Sequence, residues 1–311
     1  MVAVRAFHER DLGEAARIVR VAFGTFLDLP EPEQCFADRD YVHSRFGAEH
    51  VAAFAAEEDG ALVGSNFATR WGSFGFFGPL SIRPDRWNGG CAQPLVGAVC
   101  EAFERWRVSL SGLFTFAESA KHVHLYGKFG FYARFLTAVM ARPAQPASLP
   151  ARSRYSALPP ADRRAAEDAA YALTDSIWDG LDLRGEIRTV AARNLGDTLL
   201  LWDGSRLAGF AVCHWGPASE AGADRLYVKF GAVRSGSGAA GRFAALLDAV
   251  AALAAAAGMK AVLAGVNLGR ENAYRQMAAS GFRSEFQGVA MHRDNRPGFS
   301  RPDAYVIDDW R

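Results

Sequence analysis

Hydrophobic and polar positions change period several times along the first 141 residues. Residues 2–7 alternate, the pattern of a half-buried strand, while Leu12, Ala15, Ala16, Val19 and Phe23 recur at helical spacing. Residues 51–57 and 62–70 alternate again around Glu58-Asp59-Gly60, a hairpin signal. Residues 74–82 read as a strand. Leu95, Val96, Val99, Cys100, Phe103 and Trp106 put one apolar stripe on a helix. A short strand over 112–116, a short helix over 119–128 stopped by Gly130, and a strand over 131–141 complete this half.

The same order returns further on. A helix over 161–177 precedes hairpin strands 198–202 and 207–214 around Asp203-Gly204. A strand over 226–233, an alanine-rich helix over 239–257, a strand over 261–266, a helix over 270–279 and a strand over 287–292 follow. The hairpin glycine and the later Gly-Phe step (Gly130-Phe131, Gly281-Phe282) lie 70 residues apart in the first half and 77 in the second. That spacing predicts an internal repeat: two α+β domains of one fold, over residues 1–141 and 154–311. Between them, residues 142–153 hold Pro143, Pro146 and Pro150 without apolar period and read as a linker. The tail from Arg301 to Arg311 is expected to pack as an extra strand, with a lid over the site as the alternative.

A chain of 311 residues is long enough for two domains, and 50% hydrophobic with 22% charged residues excludes a disordered one. Lys+Arg 35 against Asp+Glu 34 leaves a net charge of +1, without the basic excess of a nucleic-acid binder. Cys35, Cys91, Cys100 and Cys213 form no C-x-x-C pair and no zinc pattern with histidine. No metal is expected, and the thiols read as reduced, in a cytoplasmic protein. The opening residues carry charge where a signal peptide needs an apolar run. Arg242 and Asp248 interrupt the alanine-rich stretch, which reads as a buried helix and not a membrane span.

Candidate chemistry gathers in two loops. After the strand ending at Ile82 comes Arg83-Pro84-Asp85-Arg86-Trp87-Asn88-Gly89-Gly90-Cys91-Ala92-Gln93-Pro94, opening the amphipathic helix. Unpartnered amides at a helix N-terminus and the helix dipole together hold phosphate, and Gly89 and Gly90 allow close approach to the main chain. A plain strand–turn–helix connection would look the same. The second loop puts Ser119 at a helix cap and Tyr126 on the last turn, followed by Gly130-Phe131.

A proline, a short spacer, a glycine-bearing loop, a helix, a strand and then Leu125-Tyr126-Gly127-Lys128-Phe129-Gly130-Phe131 resembles the GNAT superfamily of acyl-CoA-dependent N-acyltransferases. The resemblance covers most of residues 2–141 and, more weakly, 154–293. It implies two tandem GNAT-like domains, each a mixed, mostly antiparallel sheet flanked by helices. It implies that Leu80, Ser81 and Ile82 pair with the pantetheine arm of acetyl-CoA and that an amide near Ile82 polarises the thioester carbonyl. Asn88, Gly89, Gly90, Cys91, Ala92 and Gln93 would hold the pyrophosphate, with Ser119 beside the coenzyme. Strand 112–116 would splay from strand 74–82 to open a V, and Tyr126 would protonate the leaving thiolate. Glu118 is the candidate base, a solvated loop carboxylate being the alternative. Family members usually carry Arg or Gln where Trp87 stands. The implied reaction is acetyl transfer from the cosubstrate acetyl-CoA to a small-molecule primary amine, in a monomer or homodimer, with no nucleic acid and no membrane. The other reading is an acyl-CoA-binding module without turnover.

Tyr126 also reads as one more core aromatic, His122 as packed between domains, and Cys91 as a small buried thiol. Trp71, Phe74, Phe76 and Phe77 fill the core or line an apolar acceptor pocket. In the second half Gly236-Ser237-Gly238-Ala239-Ala240-Gly241 matches G-x-G-x-x-G, yet the next strand ends in Asn267 without the acidic residue that a dinucleotide site needs. Met277 stands where the first half has Tyr126. The second half is therefore expected to be degenerate, a structural or substrate-shaping partner.

Overall fold

The computed structural model describes residues 2–311. The first half builds β1 (Ala3–Ala6), α1 (Leu12–Phe26), β2 (Val51–Glu58), β3 (Ala61–Trp71), β4 (Phe74–Phe77), β5 (Ser81–Ile82), α2 (Ala92–Arg105), β6 (Leu110–Thr115), α3 (Ala120–Gly127) and β7 (Phe131–Pro143). The second builds α4 (Pro160–Asp175), α5 (Arg184–Ala192), β8 (Gly196–Asp203), β9 (Arg206–Gly216), β10 (Gly222–Val233), α6 (Ala239–Ala256), β11 (Ala261–Asn267), α7 (Glu271–Ala279), β12 (Arg283–Arg293) and β13 (Val306–Ile307).

All thirteen described strands join one mixed sheet in the order β1-β2-β3-β4-β6-β12-β7-β11-β10-β9-β8, with β5 on β3 and β13 on β10. Only β4–β6 and β10–β11 pair in parallel. The closing strands are exchanged. β7 leaves the first half and pairs with β11 of the second, from Thr137↔Asn267 to Pro143↔Ala261. β12 returns from the second half to pair with β6, from Gly112↔His292 to Thr115↔Val289. The two exchanged strands pair with each other at the centre. β7 thus runs into the proline-bearing stretch expected as linker, and each half's sheet is completed by the other's last strand.

The core follows the same sharing. Trp71, Phe74, Phe76 and Leu110 of the first half are packed in one cluster with Phe210, Phe230, Phe299 and Trp310 of the second. Each such buried side chain contributes about 1.5–3 kcal/mol. A polar seam runs beside it. Glu186 of α5 takes Trp71 Nε1 and His50 Nε2, both at 3.0 Å, and Lys229 joins Glu186 (3.6 Å) to Glu220 (2.6 Å).

α6 is long and apolar enough to cross a membrane by length and composition. Its Phe243, Leu246, Leu247, Val250 and Leu253 are instead buried in a cluster with the strands beneath. The strand expected over 74–82 is two strands, broken at a cis Gly78-Pro79 bond. β13 is the extra strand expected of the tail, antiparallel to β10 at Ala232↔Val306 and Gly231↔Ile307. The tail then crosses bare backbone: a Cβ on Gly112 would stand 2.7 Å from the Trp310 ring, and one on Gly265 would meet the Asp309 side chain.

Candidate active site

β4 and β6 run together from Phe74↔Leu110 to Phe77↔Leu113 and then part. β5 resumes beside β3 alone, at Ser65↔Ser81 and Gly64↔Ile82. The divergence is the V expected from the sequence. Arg83 donates its N–H to the Val63 carbonyl (2.9 Å), so strand alternation turns the backbone of Ile82 away from β3, toward the gap. The Ile82 carbonyl is already engaged: Trp87 Nε1 donates to it at 2.8 Å. Its N–H faces the gap, whereas Pro79 has none to offer.

A cleft of about 380 Å³ follows the V between α1, the loop before α2, and α3. It brings together Leu80, Ser81, Ile82, Asn88, Gly90, Cys91, Ala92, Gln93 and Tyr126. Gly89 and Ser119 are not on its walls. Gly89 donates its N–H to Arg86 (3.3 Å), and Ser119 caps α3, its Oγ accepting from the His122 N–H at 3.4 Å. Gln93 likewise donates its N–H to Gly90 (3.3 Å). The amides of Gly90, Cys91 and Ala92 are the donors left at the helix start. Gly90 has φ +78°, a conformation glycine adopts without steric cost.

Cations went unnoticed in the sequence. Arg86, Lys121 and Lys128 line the cleft, and among the described residues no carboxylate does, although Arg86 pairs with Glu58 at 2.9 Å. The Lys121 ammonium sits over the Trp87 indole, 5.5 Å from its centroid. Lys121 on α3 and Lys128 just past its end flank Tyr126 in sequence, a signal that could have pointed to them. Such walls favour a ligand of several negative charges.

A second cavity, of about 440 Å³, adjoins the first; Phe23, Leu80, Phe116, His122 and Tyr126 line both. Tyr126 is buried with its ring edge on Phe77 (5.7 Å), and burial pushes its phenol up, so it keeps its proton at neutral pH. His122 lies one turn earlier on α3. Burial first, then Lys121, pushes its imidazole below 6.5, and its buried Nδ1 has no hydrogen-bond partner. Glu118 is exposed and lines the second cavity alone. Cys91 is a buried free thiol, as expected. Of the four clustered aromatics, Phe77 alone reaches the second cavity; Trp71, Phe74 and Phe76 are core. That wall also draws on segments the sequence did not connect: Arg39 and Tyr41, Phe286 and Gln287 of β12, and Trp310 and Arg311.

The equivalent gap in the second half is filled. β10 and β11 part after Val228↔Ala264, just as β4 and β6 do, and β13 occupies the freed edge of β10. Met277 is buried. The tail sits where the first half leaves its cleft open.

Residues 17–131 match the Acetyltransferase (GNAT) family. No curated protein gives a significant sequence match. A putative acetyltransferase from Pyrococcus horikoshii is similar in structure at 13% identity, covering 99% of this chain and 95% of its own, with a TM-score of 0.67. A GCN5-related N-acetyltransferase from Sphaerobacter thermophilus is similar at 18% identity, 96% of each chain and a TM-score of 0.61. So is a tandem GNAT protein from the clavulanic acid biosynthesis pathway, at 14% identity, 94% of this chain, 98% of its own and a TM-score of 0.55. At these identities the likeness is one of fold, and it extends over both halves.

Proposed function

For a chain of the GNAT superfamily with two such folds in tandem, we propose acetyl-CoA-dependent N-acetylation of a small-molecule primary amine, at one site per chain, in the first half. The observation that carries this reading is the junction of two cavities at Tyr126 and His122, one walled by cations and free amides, the other largely by apolar side chains.

The cleft suits the coenzyme. Amides of Gly90, Cys91 and Ala92 at the start of α2 would hold the diphosphate. Lys121, resting on Trp87, brings the positive charge that the family's usual arginine would supply. The Ile82 N–H would polarise the thioester carbonyl. In the ternary complex His122, neutral near pH 7, takes a proton as the amine nitrogen bonds to the carbonyl carbon. The C–S bond breaks, and Tyr126 gives its proton to the departing sulfur. Acid and base are worth ~10²–10⁴-fold each, and side-by-side placement of the partners supplies much of the rest. Glu118 is the alternative base; His122 is preferred because it lines both cavities. The exposed Glu118 carboxylate would draw in the protonated amine, which gives its extra proton to solvent before the nitrogen attacks.

Calorimetric titration with acetyl-CoA tests the reading. One equivalent should bind, and Gly90→Glu should abolish it. Tyr126→Phe should keep coenzyme affinity and lose turnover with an amine panel. Binding without turnover in the wild type would favour a coenzyme-binding module, and no binding would end the proposal.

A further inference from the structure

The acceptor cavity holds two guanidinium groups that nothing in the reaction above uses. Arg311 lies in a slot between rings, 4.5 Å from the Tyr227 centroid and 5.7 Å from Phe286. Its Nε donates to Asp309 Oδ2 at 2.9 Å, and Asp309 in turn accepts from the Tyr227 hydroxyl at 2.6 Å. The guanidinium is thus fixed in place, with a side chain 12% exposed, and its Nη2 is buried without a hydrogen-bond partner. Arg39 approaches from the loop after α1, over the Phe36 ring at 5.5 Å. Its Nε is also buried without a hydrogen-bond partner, though it pairs as an ion with Asp38 Oδ1 at 3.5 Å. Both side chains line the same cavity, whose other walls are largely apolar.

Buried guanidinium N–H groups are rarely left unmade, because their desolvation goes uncompensated. Arg side chains fixed by ring stacking present a planar fork that matches a carboxylate. Arg311 already shares its charge with Asp309 and Arg39 with Asp38, so the pair of arginines suits a single negative charge better than a doubly charged phosphate.

We propose that the acceptor is an amine carrying a carboxylate and an apolar body, its carboxylate held by Arg39 and Arg311 while its nitrogen meets the thioester at His122 and Tyr126. This rests on the acyltransferase reading. It makes the tail of the second half, through Arg311, part of the substrate specificity of the first.

The test compares matched amines with and without a carboxylate: L-phenylalanine against 2-phenylethylamine, L-leucine against 3-methylbutylamine, L-tryptophan against tryptamine, with O-phosphoethanolamine against ethanolamine as the phosphate pair. The expected result is a preference of at least tenfold in kcat/KM for the carboxylate member, and none for the phosphate. Arg311→Gln should collapse that ratio, chiefly through KM. Arg39→Gln, at a less buried position, should do the same if the first variant fails to fold. Acetyl-CoA affinity should survive both. A wild-type preference for the neutral amines or for the phosphate, or a ratio unmoved by both variants, would overturn the proposal and leave the acyltransferase standing. If no amine turns over, binding of the N-acetyl amino acids decides: affinity lost with Arg311→Gln or Arg39→Gln supports the carboxylate site, and no affinity in the wild type overturns it. Failure to bind acetyl-CoA would instead remove the underlying reading.

Discussion

Arg45 of the first half and Glu220 of the second meet in a bidentate ion pair, Nε on Oε1 and Nη2 on Oε2, both at 2.9 Å. Neither side chain reaches solvent. The Arg45 guanidinium also donates to the carbonyls of Gly78 and Arg311, so one side chain ties the break between β4 and β5, the second half and the tail together. Removing one partner of such a pair leaves a buried charge without its mate. Glu220→Gln, which also deprives Lys229 of a partner, should cost about 3–5 kcal/mol in urea unfolding. A loss under about 1 kcal/mol would mean that the seam is wet and the halves are held by the sheet alone.

Acid should unfold the protein early. Burial holds His214 and His292 neutral down to about 4, from an ordinary 6.5. Between those values the unfolded chain binds a proton that the folded chain refuses, so stability falls as pH drops from about 6.5 to about 4. Each histidine accounts for on the order of 1–3 kcal/mol. Burial disfavours the Glu220 carboxylate, but Arg45 and Lys229 outweigh it and hold the group at about 2. Its stabilisation is full above 4.5 and drains as pH falls toward 2. Denaturant midpoints measured from pH 7 to pH 4 should decline steadily, and His292→Gln should shallow the slope. A flat profile would refute the assignment.

The rate should have an acid limb below pH 6.5. His122 must be neutral to accept the amine's proton, so kcat falls as pH drops through its depressed pKa. His122→Gln should abolish the limb and lower kcat ~10²-fold or more. A limb that survives this change and vanishes in Glu118→Gln would make Glu118 the base.

Moving the tail should change the acceptor site without touching the coenzyme. Gly265→Ala would push a methyl group into Asp309, the residue that holds Arg311. Overpacking of this kind costs about 1–3 kcal/mol. KM for the acceptor should rise at least tenfold while KM for acetyl-CoA stays within twofold. Equal changes in both would show that the tail does not divide its influence in this way.

What the sequence disclosed was local. The loop before Ala92, the cap at Ser119 and the position of Tyr126 are set by spacing within a few turns, and each stands where that spacing places it. α5 went unseen because Glu186 occupies its inward face, where an apolar stripe would show a carboxylate as a defect; the seam of His50, Trp71 and Lys229 is what receives it. The exchange of β7 and β12 was invisible because alternation says which face a strand buries and not which neighbour it takes. Arg39, Phe286 and Arg311 share a cavity only through that exchange and the course of the tail, so no window along the chain contains them together.

The exchange also fixes an order of events during synthesis. β6 leaves the ribosome long before its neighbour β12 exists, and residues 116–282 must be added in between. At ~5–20 residues per second that wait lasts roughly 10–30 s. Throughout it the edge that carries Leu113 and Phe114 is bare, beside a V that already has its α2 and α3. Chains arrested near residue 200 should therefore be cut readily by protease and engage chaperones, while chains arrested beyond the end of β12 should resist. A nascent first domain that resists from the start would mean that β7 first pairs with β6 and gives up its place to β12 later.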